Sequence, residues 1–178
     1  YYRPDLSDTG VLPAGLTLCS LETALADRPE LLERHWGILH DLSEDRLSGK
    51  NDLKPHAMIA LNTAFAAGGA VIHLDHNVSL DGPIHLIYLT ALEGERPAMS
   101  HPRTLVVAEA GAHATIFETF IGDGGDAHCC NALTQVSVGP GARVCHYKHQ
   151  GEAPNGTHIG SSHVCLEKNS TYNGFVLS

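Results

Sequence analysis

The chain has 178 residues, of which 43% are hydrophobic, 17% are charged and 18 are glycine. This is enough apolar material for one core, and many glycines with few charges favour a β protein over a helical bundle. The net charge of −9 comes without a basic stripe, which disfavours nucleic-acid binding; no apolar run approaches the roughly 18 residues of a membrane span, and no signal-peptide pattern is present.

The N-terminal part of the chain predicts an extended stretch followed by short helices. Residues 1–19 are expected to be extended. Ser20 can cap a first helix, and Pro29 suits the first turn of a second one. His35 lies beside the only tryptophan, Trp36, on the apolar stripe of the second helix. This position predicts a histidine packed in the core rather than a ligand.

A polar loop and a third helix follow. The mixed charges from Asp41 to Lys54 predict a solvated loop. From Pro55 the apolar spacing becomes helical, and Gly68 and Gly69 are expected to end that helix. Asn62, within this helix, could cap a neighbouring strand or face water. Since an exposed amide is the more common arrangement, we expect Asn62 to face water.

Short apolar runs then predict strands. Residues 70–74 and 84–89 are strand-like and are separated by a turn at Asp81-Gly82-Pro83. The stretch from Val78 to Leu80 suggests a further short strand before this turn. A polar loop is expected from Glu93 to Pro102.

Three β-rich blocks follow, and their turns recur in register. Gly111, Gly141 and Asn169 occupy equivalent positions, at offsets of 30 (141 − 111) and 28 (169 − 141) residues. A repeat of about 20 to 50 residues indicates a solenoid, in which each turn covers the apolar face of the next. A β-sandwich or jelly roll is the alternative, since its hairpins also recur with glycine turns. We therefore predict a mainly β fold with a solenoid core over residues 70–178, preceded by an extended and helical segment over residues 1–69.

The ends and loops of this solenoid carry further expectations. Residues 122–126 and 151–156 are expected to be loops that project from it. The sequence stops at Ser178 within a β-rich run and shows no polar cap of the kind that closes a solenoid. We therefore expect a core that is truncated at its C-terminus, and exposed strand edges would favour self-association of such a chain.

Several short motifs are spread over nearly the whole chain. They are Tyr2–Ser7, Leu61–Phe65 with Gly68-Gly69, Pro83–Leu86, His101–Val107, Glu109–Ala112 and Gly141–Lys148. In this order they resemble the SufB/SufD family of iron–sulfur cluster assembly proteins, and the SufD branch more closely. No single motif is diagnostic, so the resemblance rests on their order.

The resemblance implies a right-handed parallel β-helix and a role as an assembly scaffold rather than an enzyme. It implies a SufB-like paralogue and a SufC-like ABC ATPase as partners in a SufBCD-like complex. A nascent iron–sulfur cluster would be carried transiently by that complex. The family's later β-helix turns and C-terminal helices, which bind SufC and contribute to the SufB–SufD interface, have no counterpart before Ser178.

Thiolates and imidazoles are the natural ligands of iron and its clusters. The five cysteines are Cys19, Cys129, Cys130, Cys145 and Cys165. Their odd number and unpaired spacing favour reduced thiols and therefore a cytoplasmic location. Cys129 and Cys130, after His128, form the densest group, but adjacent residues of a strand point to opposite faces. Because no C-x-x-C spacing occurs, we expect this chain alone to hold no cluster or cofactor, and metal ligation is left open.

Other candidates are weaker. If Val144 faces the core, alternation places His146 inward and Cys145 outward as an accessible thiol, which is otherwise a small apolar residue on a β surface. Cys165 is expected in the core. His158 and His163 flank a turn and could meet a metal only through the tertiary fold. Two glutamates, Glu109 and Glu118, could pair, although solvation at the surface explains them equally well.

The sequence contains no G-x-S-x-G, H-E-x-x-H or Walker A motif, so no catalytic residue is assigned. The alternatives are a carbohydrate-active β-helix enzyme or a histidine-rich metal-binding β protein. The enzyme would be expected to show clustered aspartates and a secretion signal. A cupin-like metal protein would need an H-x-H pair, whereas His73 and His76 are separated by two residues.

Overall fold

The computed structural model describes residues 2–36, 57–90, 98–122 and 128–178. A short 3-10 helix spans Pro4–Leu6, and three α-helices follow: α1 (Leu21–Asp27), α2 (Pro29–Trp36) and α3 (Ala57–Phe65). The strands are β1 (Leu16–Ser20), β2 (Gly68–Leu74), β3 (Ile84–Thr90), β4 (Ala98–Ser100), β5 (Pro102–Ala108), β6 (His113–Gly122), β7 (His128–Val138), β8 (Arg143–Gly151), β9 (Thr157–Leu166) and β10 (Thr171–Leu177).

Two parallel sheets form a β-solenoid of about three turns, which confirms the predicted fold class. In the first sheet β2, β5, β7 and β9 pair in parallel, with β4 beside the start of β7 and β1 antiparallel to β2. In the second sheet β3, β6, β8 and β10 pair in parallel. The chain alternates between the two sheets, so each new strand pair stacks on the previous one.

The strand register reproduces the sequence repeat. Arg103 lies opposite Leu133, which lies opposite Ser161, and these steps span 30 (133 − 103) and 28 (161 − 133) residues. These are the same two offsets that the turn residues show in the sequence. The repeat therefore measures the length of one turn of the solenoid.

One corner of the solenoid has the same turn at every level. Asn77, Gly111, Gly141 and Asn169 all have positive φ, between 60° and 71°, a conformation that glycine and asparagine tolerate best. The N–H of Asn77 donates to Ala110 O at 2.9 Å, and the N–H groups of Gly111 and Gly141 make the same bond one level on. Asn77 precedes Gly111 by 34 residues, so the offsets of 30 and 28 residues do not identify it as part of the repeat.

The core lies between the two sheets. Inward-facing side chains from both sheets form an apolar cluster that includes Ile72, Val106, Ile116, Val136 and Val144. Because β-strands alternate their side chains, the odd-numbered residues of β5 face the other way and pack under helices α1 and α2. No described helix is long and apolar enough to cross a membrane.

A buried arginine joins the helices to the first sheet. Arg103 is 1% exposed, its guanidinium carbon lies 3.5 Å from the ring centre of Trp36, and it donates to Gln135 and Thr63. Burial lowers the pKa of Arg103 to about 10, which leaves it charged at neutral pH. Both ring nitrogens of His35 are buried and have no hydrogen-bond partner among the described residues, in agreement with the packed histidine predicted from the sequence.

Asn62 corrects one expectation, because it is fully buried rather than exposed. Its amide nitrogen donates to the carbonyl oxygens of Pro102 (3.1 Å) and Asn131 (2.8 Å). In return, Asn131 donates to Met58 O at 2.8 Å. Asn62 thus caps two neighbouring strands, the alternative considered less common, and fastens α3 to the edge of the solenoid.

Three smaller features also differ from expectation. The stretch from Val78 to Leu80 makes only an isolated bridge, between Ser79 and His113. Within the loop predicted from Glu93 to Pro102, Ala98–Ser100 form β4 and Pro102 begins β5, and the first residues of the two projecting loops, Gly122 and Gly151, end β6 and β8. The loop predicted from Asp41 to Lys54 lies outside the described residues. The boundary between residues 69 and 70 stays a prediction, and β2 begins two residues before residue 70, at Gly68.

The repeated corner generates a test with a matched pair of glycines. A Cβ at Gly141 would meet no atom within 4 Å, whereas one at Gly111 would lie 2.3 Å from Asn77 Oδ1. We expect Gly141→Ala to cost about 1–2 kcal/mol from backbone strain alone. Gly111→Ala should cost about 0.5–1 kcal/mol more, because the Asn77 side chain must also rotate away from the new methyl group, as measured by urea unfolding. Gly141→Asn should be the mildest change, and equal losses for both alanine variants would contradict the stacked corner.

Candidate functional site

A group of charged and polar side chains lies inside the solenoid. It comprises Thr104 on β5, Glu118 on β6, Thr134 on β7, and His146 and Lys148 on β8. All five are at most 4% exposed. Strand alternation puts them there, because residues 144, 146 and 148 of β8 share the inward face. The inward position of His146 was predicted by this parity and is confirmed.

The carboxylate of Glu118 is the centre of the group. One oxygen, Oε1, accepts from the hydroxyl of Thr104. The other, Oε2, lies 2.9 Å from both His146 Nε2 and Thr134 Oγ1, and 3.2 Å from Lys148 Nζ. Lys148 also donates to Thr134 Oγ1 at 2.8 Å. Both carboxylate oxygens are therefore occupied by donors from three neighbouring strands.

Two tyrosines extend this network in opposite directions. His146 Nδ1 lies 2.8 Å from the hydroxyl of Tyr172 on β10, and the hydroxyl of Tyr88 on β3 lies 2.6 Å from Thr104 Oγ1. Burial raises the pKa of Tyr88 and of Tyr172, so both hydroxyls keep their protons. A continuous hydrogen-bonded chain thus runs through the interior from β3 to β10.

The charge state of Glu118 follows from its neighbours. Burial alone would raise the pKa of Glu118, but the hydrogen bond from His146 and the charge of Lys148 outweigh it and lower the pKa to about 2. The carboxylate is therefore ionised at neutral pH in a fully buried position. The interpretation of Glu118 as a solvated surface residue is wrong, and Glu109, which contacts His73 at 3.5 Å, does not pair with it.

A second buried group contains three potential metal ligands: Cys130, Glu152 and His158. Cys130 and His158 are directly opposite each other on β7 and β9, and Glu152 follows β8. His158 Nδ1 is hydrogen-bonded to Glu152 Oε1, and one ligand atom from each residue lies within 4.8 Å of the others. Burial raises the pKa of the Cys130 thiol to about 11.

The structure separates the remaining candidates. Cys130 is buried and Cys129 is half-buried, as expected for adjacent residues with opposite orientations. Cys145 is half-buried, with Asn173 Nδ2 3.9 Å from its sulfur. Cys165 was expected in the core but is also only half-buried, 3.9 Å from His163 Nδ1.

Sequence reasoning missed most of the network. The inward parity that identified His146 also applies to Lys148, two residues on, and this signal could have placed the lysine inside. Glu118 lies opposite Lys148, and the 30 residues between them (148 − 118) equal the offset between Gly111 and Gly141, so the repeat could also have paired these two residues. The network keeps its charges compensated and holds strands of both sheets together. Because both oxygens of Glu118 are occupied, the carboxylate is not free to act as a base or nucleophile.

Comparisons with known proteins agree with this architecture. Residues 89–178 match the family described as "SUF system FeS cluster assembly, SufBD core domain", and residues 1–86 match the "SufBD protein N-terminal region". The chain is 29% identical, over 97% of its length and 37% of the relative's, to the iron–sulfur cluster assembly SufBD family protein slr0076 of Synechocystis sp.. It is 30% identical to the chloroplastic protein ABCI7 of Arabidopsis thaliana, over 57% of the chain and 22% of that relative. The matched stretches thus cover 37% and 22% of the length of these two relatives.

The lowered pKa of Glu118 predicts an acid-dependent loss of stability. A carboxyl group with a pKa of about 2 when folded and about 4.5 when unfolded stabilises the fold fully above pH 4.5, by about 3 kcal/mol. This contribution is lost as the pH falls from about 4.5 towards 2. The advantage of the wild type over Glu118→Gln in urea unfolding should therefore shrink across that range. A constant difference would contradict the assignment, and Glu109→Gln serves as the partly exposed control.

The pair formed by Glu118 and Lys148 predicts strong non-additivity. Glu118→Gln leaves the buried charge of Lys148 without its partner, and Lys148→Met does the same to Glu118. We expect each single variant to lower the free energy of unfolding by about 3–5 kcal/mol. The double variant should cost at least about 2 kcal/mol less than the sum. Urea unfolding of the four proteins measures this coupling. Additive losses would show that the two charges do not compensate each other.

Proposed function

Since the chain belongs to the SufBD family of iron–sulfur cluster assembly proteins, we propose that it forms part of a scaffold subunit in a SufBCD-like complex. Its partners there are a SufB-like paralogue and a SufC-like ABC ATPase, and the complex works in the cytoplasm. The observation that carries this proposal is that the two halves of the chain match the two SufBD regions in the same order. The chain's own contribution is a rigid solenoid, not catalysis.

The interior of the solenoid supports a structural role for this part. Glu118, His146 and Lys148 are the kind of residues that would serve acid–base chemistry, yet they are at most 4% exposed. A polysaccharide cannot reach groups enclosed between two sheets. The carbohydrate-active alternative would therefore have to rely on other residues.

The distribution of cysteines supports a cluster that is carried only by the assembled complex. A cluster held by thiolates needs several of them within reach of one another. Within the described residues, Cys129 and Cys130 face opposite ways, and Cys19, Cys145 and Cys165 belong to β1, β8 and β9. We propose that the chain by itself binds no iron–sulfur cluster, and that the cluster is transient in the full complex.

The proposal is tested on the protein as its host makes it, tagged at the chromosomal locus and recovered by affinity purification at moderate salt. We expect an ABC-type ATPase and a paralogous solenoid protein to co-purify in defined proportion, as identified by mass spectrometry. An unrelated solenoid protein with the same tag is the control. Recovery of neither partner, together with turnover of a sugar polymer, would overturn the proposal.

A further inference from the structure

The group formed by Cys130, Glu152 and His158 lies inside the solenoid, on the same inner face of the first sheet as the Glu118 network. Cys130 is 2% exposed, and the side chains of His158 and Glu152 are 6% and 7% exposed. The ring of Phe120 separates the two groups, since its centre lies 4.7 Å from that of His158 and Lys148 Nζ lies 5.8 Å from it. The three side chains therefore form a separate, enclosed site.

Strand register and one loop bring these donors together. Cys130 and His158 are register partners on the paired parallel strands β7 and β9, so their side chains leave the sheet on the same face, one strand spacing apart. Glu152 reaches them from the loop between β8 and β9, and its carboxylate is hydrogen-bonded to His158 Nδ1. The convergence thus depends on backbone pairing and not on one flexible side chain.

The site contains a buried polar atom that no described residue satisfies. Nε2 of His128, two residues before Cys130 on the same inner face, has no hydrogen-bond partner among the described residues. Leaving a buried polar atom unpaired costs about 1–3 kcal/mol. A bound ion could satisfy this nitrogen, whereas His158 turns Nδ1 and not Nε2 towards Glu152.

We propose that Cys130, Glu152 and His158 bind one divalent transition-metal ion of intermediate softness, Zn²⁺ or Fe²⁺. A sulfur, a nitrogen and an oxygen donor suit such ions better than Mg²⁺ or Ca²⁺, which prefer oxygen alone. Tetrahedral ligands at about 2.0–2.3 Å from an ion lie about 3.3–3.8 Å apart, within reach of side chains that already approach within 4.8 Å.

The ion takes the place of the proton between His158 Nδ1 and Glu152 Oε1. That proton and the thiol proton of Cys130 are released to solvent. The fourth position is open to water or to His128, whose ring packs against Gly122 and Gly156. A bound ion joins β7, β9 and the loop that carries Glu152. The ion would therefore stabilise this turn of the solenoid, and its binding does not depend on the partners of the complex.

Cobalt is the probe for this site, because tetrahedral Co²⁺ bound to a thiolate has a characteristic charge-transfer absorption. We expect the purified chain, stripped with a chelator and kept anaerobic, to bind one equivalent of Co²⁺ with this absorption. Addition of Zn²⁺ should abolish it. Cys130→Ser should remove the band, and His158→Gln and Glu152→Gln should each weaken binding at least tenfold.

Cys129→Ser is the matched control, since Cys129 lies on the same strand with the opposite orientation. It should bind Co²⁺ as the wild type does. If Cys130→Ser fails to fold by circular dichroism, the affinity of His158→Gln decides, and Zn²⁺ should raise the urea midpoint of the wild type but not of that variant. Absence of the thiolate band in the wild type, or its persistence in a folded Cys130→Ser, overturns the proposal. Competition between Zn²⁺ and Fe²⁺ identifies the preferred ion, whatever the pull-down shows about the complex.

Discussion

The compensation of one buried carboxylate is the constraint on which the interior of this solenoid depends. Glu118 is fully enclosed, and an isolated charge in that position would be prohibitively unfavourable. It is tolerated because Thr104, Thr134, His146 and Lys148 all direct donors at it. Since these donors come from three strands in two sheets, the register of all of them is coupled to one side chain.

This coupling explains why polar residues occur where an apolar core would suffice. Val106, Val136 and Val144 fill the interior near the repeated corner. They would pack nearly as well if a strand slipped by two residues, because such a slip keeps the same side chains on the inner face. A carboxylate with fixed partners does not allow such a shift, because a shifted register leaves charges unpaired. The apolar half of the interior thus supplies most of the stabilisation, and the polar half selects one register.

The two ends of each turn are built on different principles. At one corner, backbone hydrogen bonds repeat at every level and need only a residue that accepts positive φ, which Asn77, Gly111, Gly141 and Asn169 provide. At the other end of β8, the connection of residues 152–156 brings in Glu152, and the side chains become specific. A scaffold protein can therefore keep a regular stack while placing metal-binding chemistry at its irregular side.

The sequence by itself determined the repeat, its length and the inward parity of His146, because these depend on local turn chemistry and on strand alternation. The two offsets of the repeat also align Glu118 with Lys148 and Cys130 with His158. The position of Asn62 and the approach of Glu152 to Cys130 were decided only by the tertiary structure. A helix and an irregular loop have no equivalent in the repeat, so their place depends on the packing and hydrogen bonds of the whole surface that they contact, which no short segment of sequence contains.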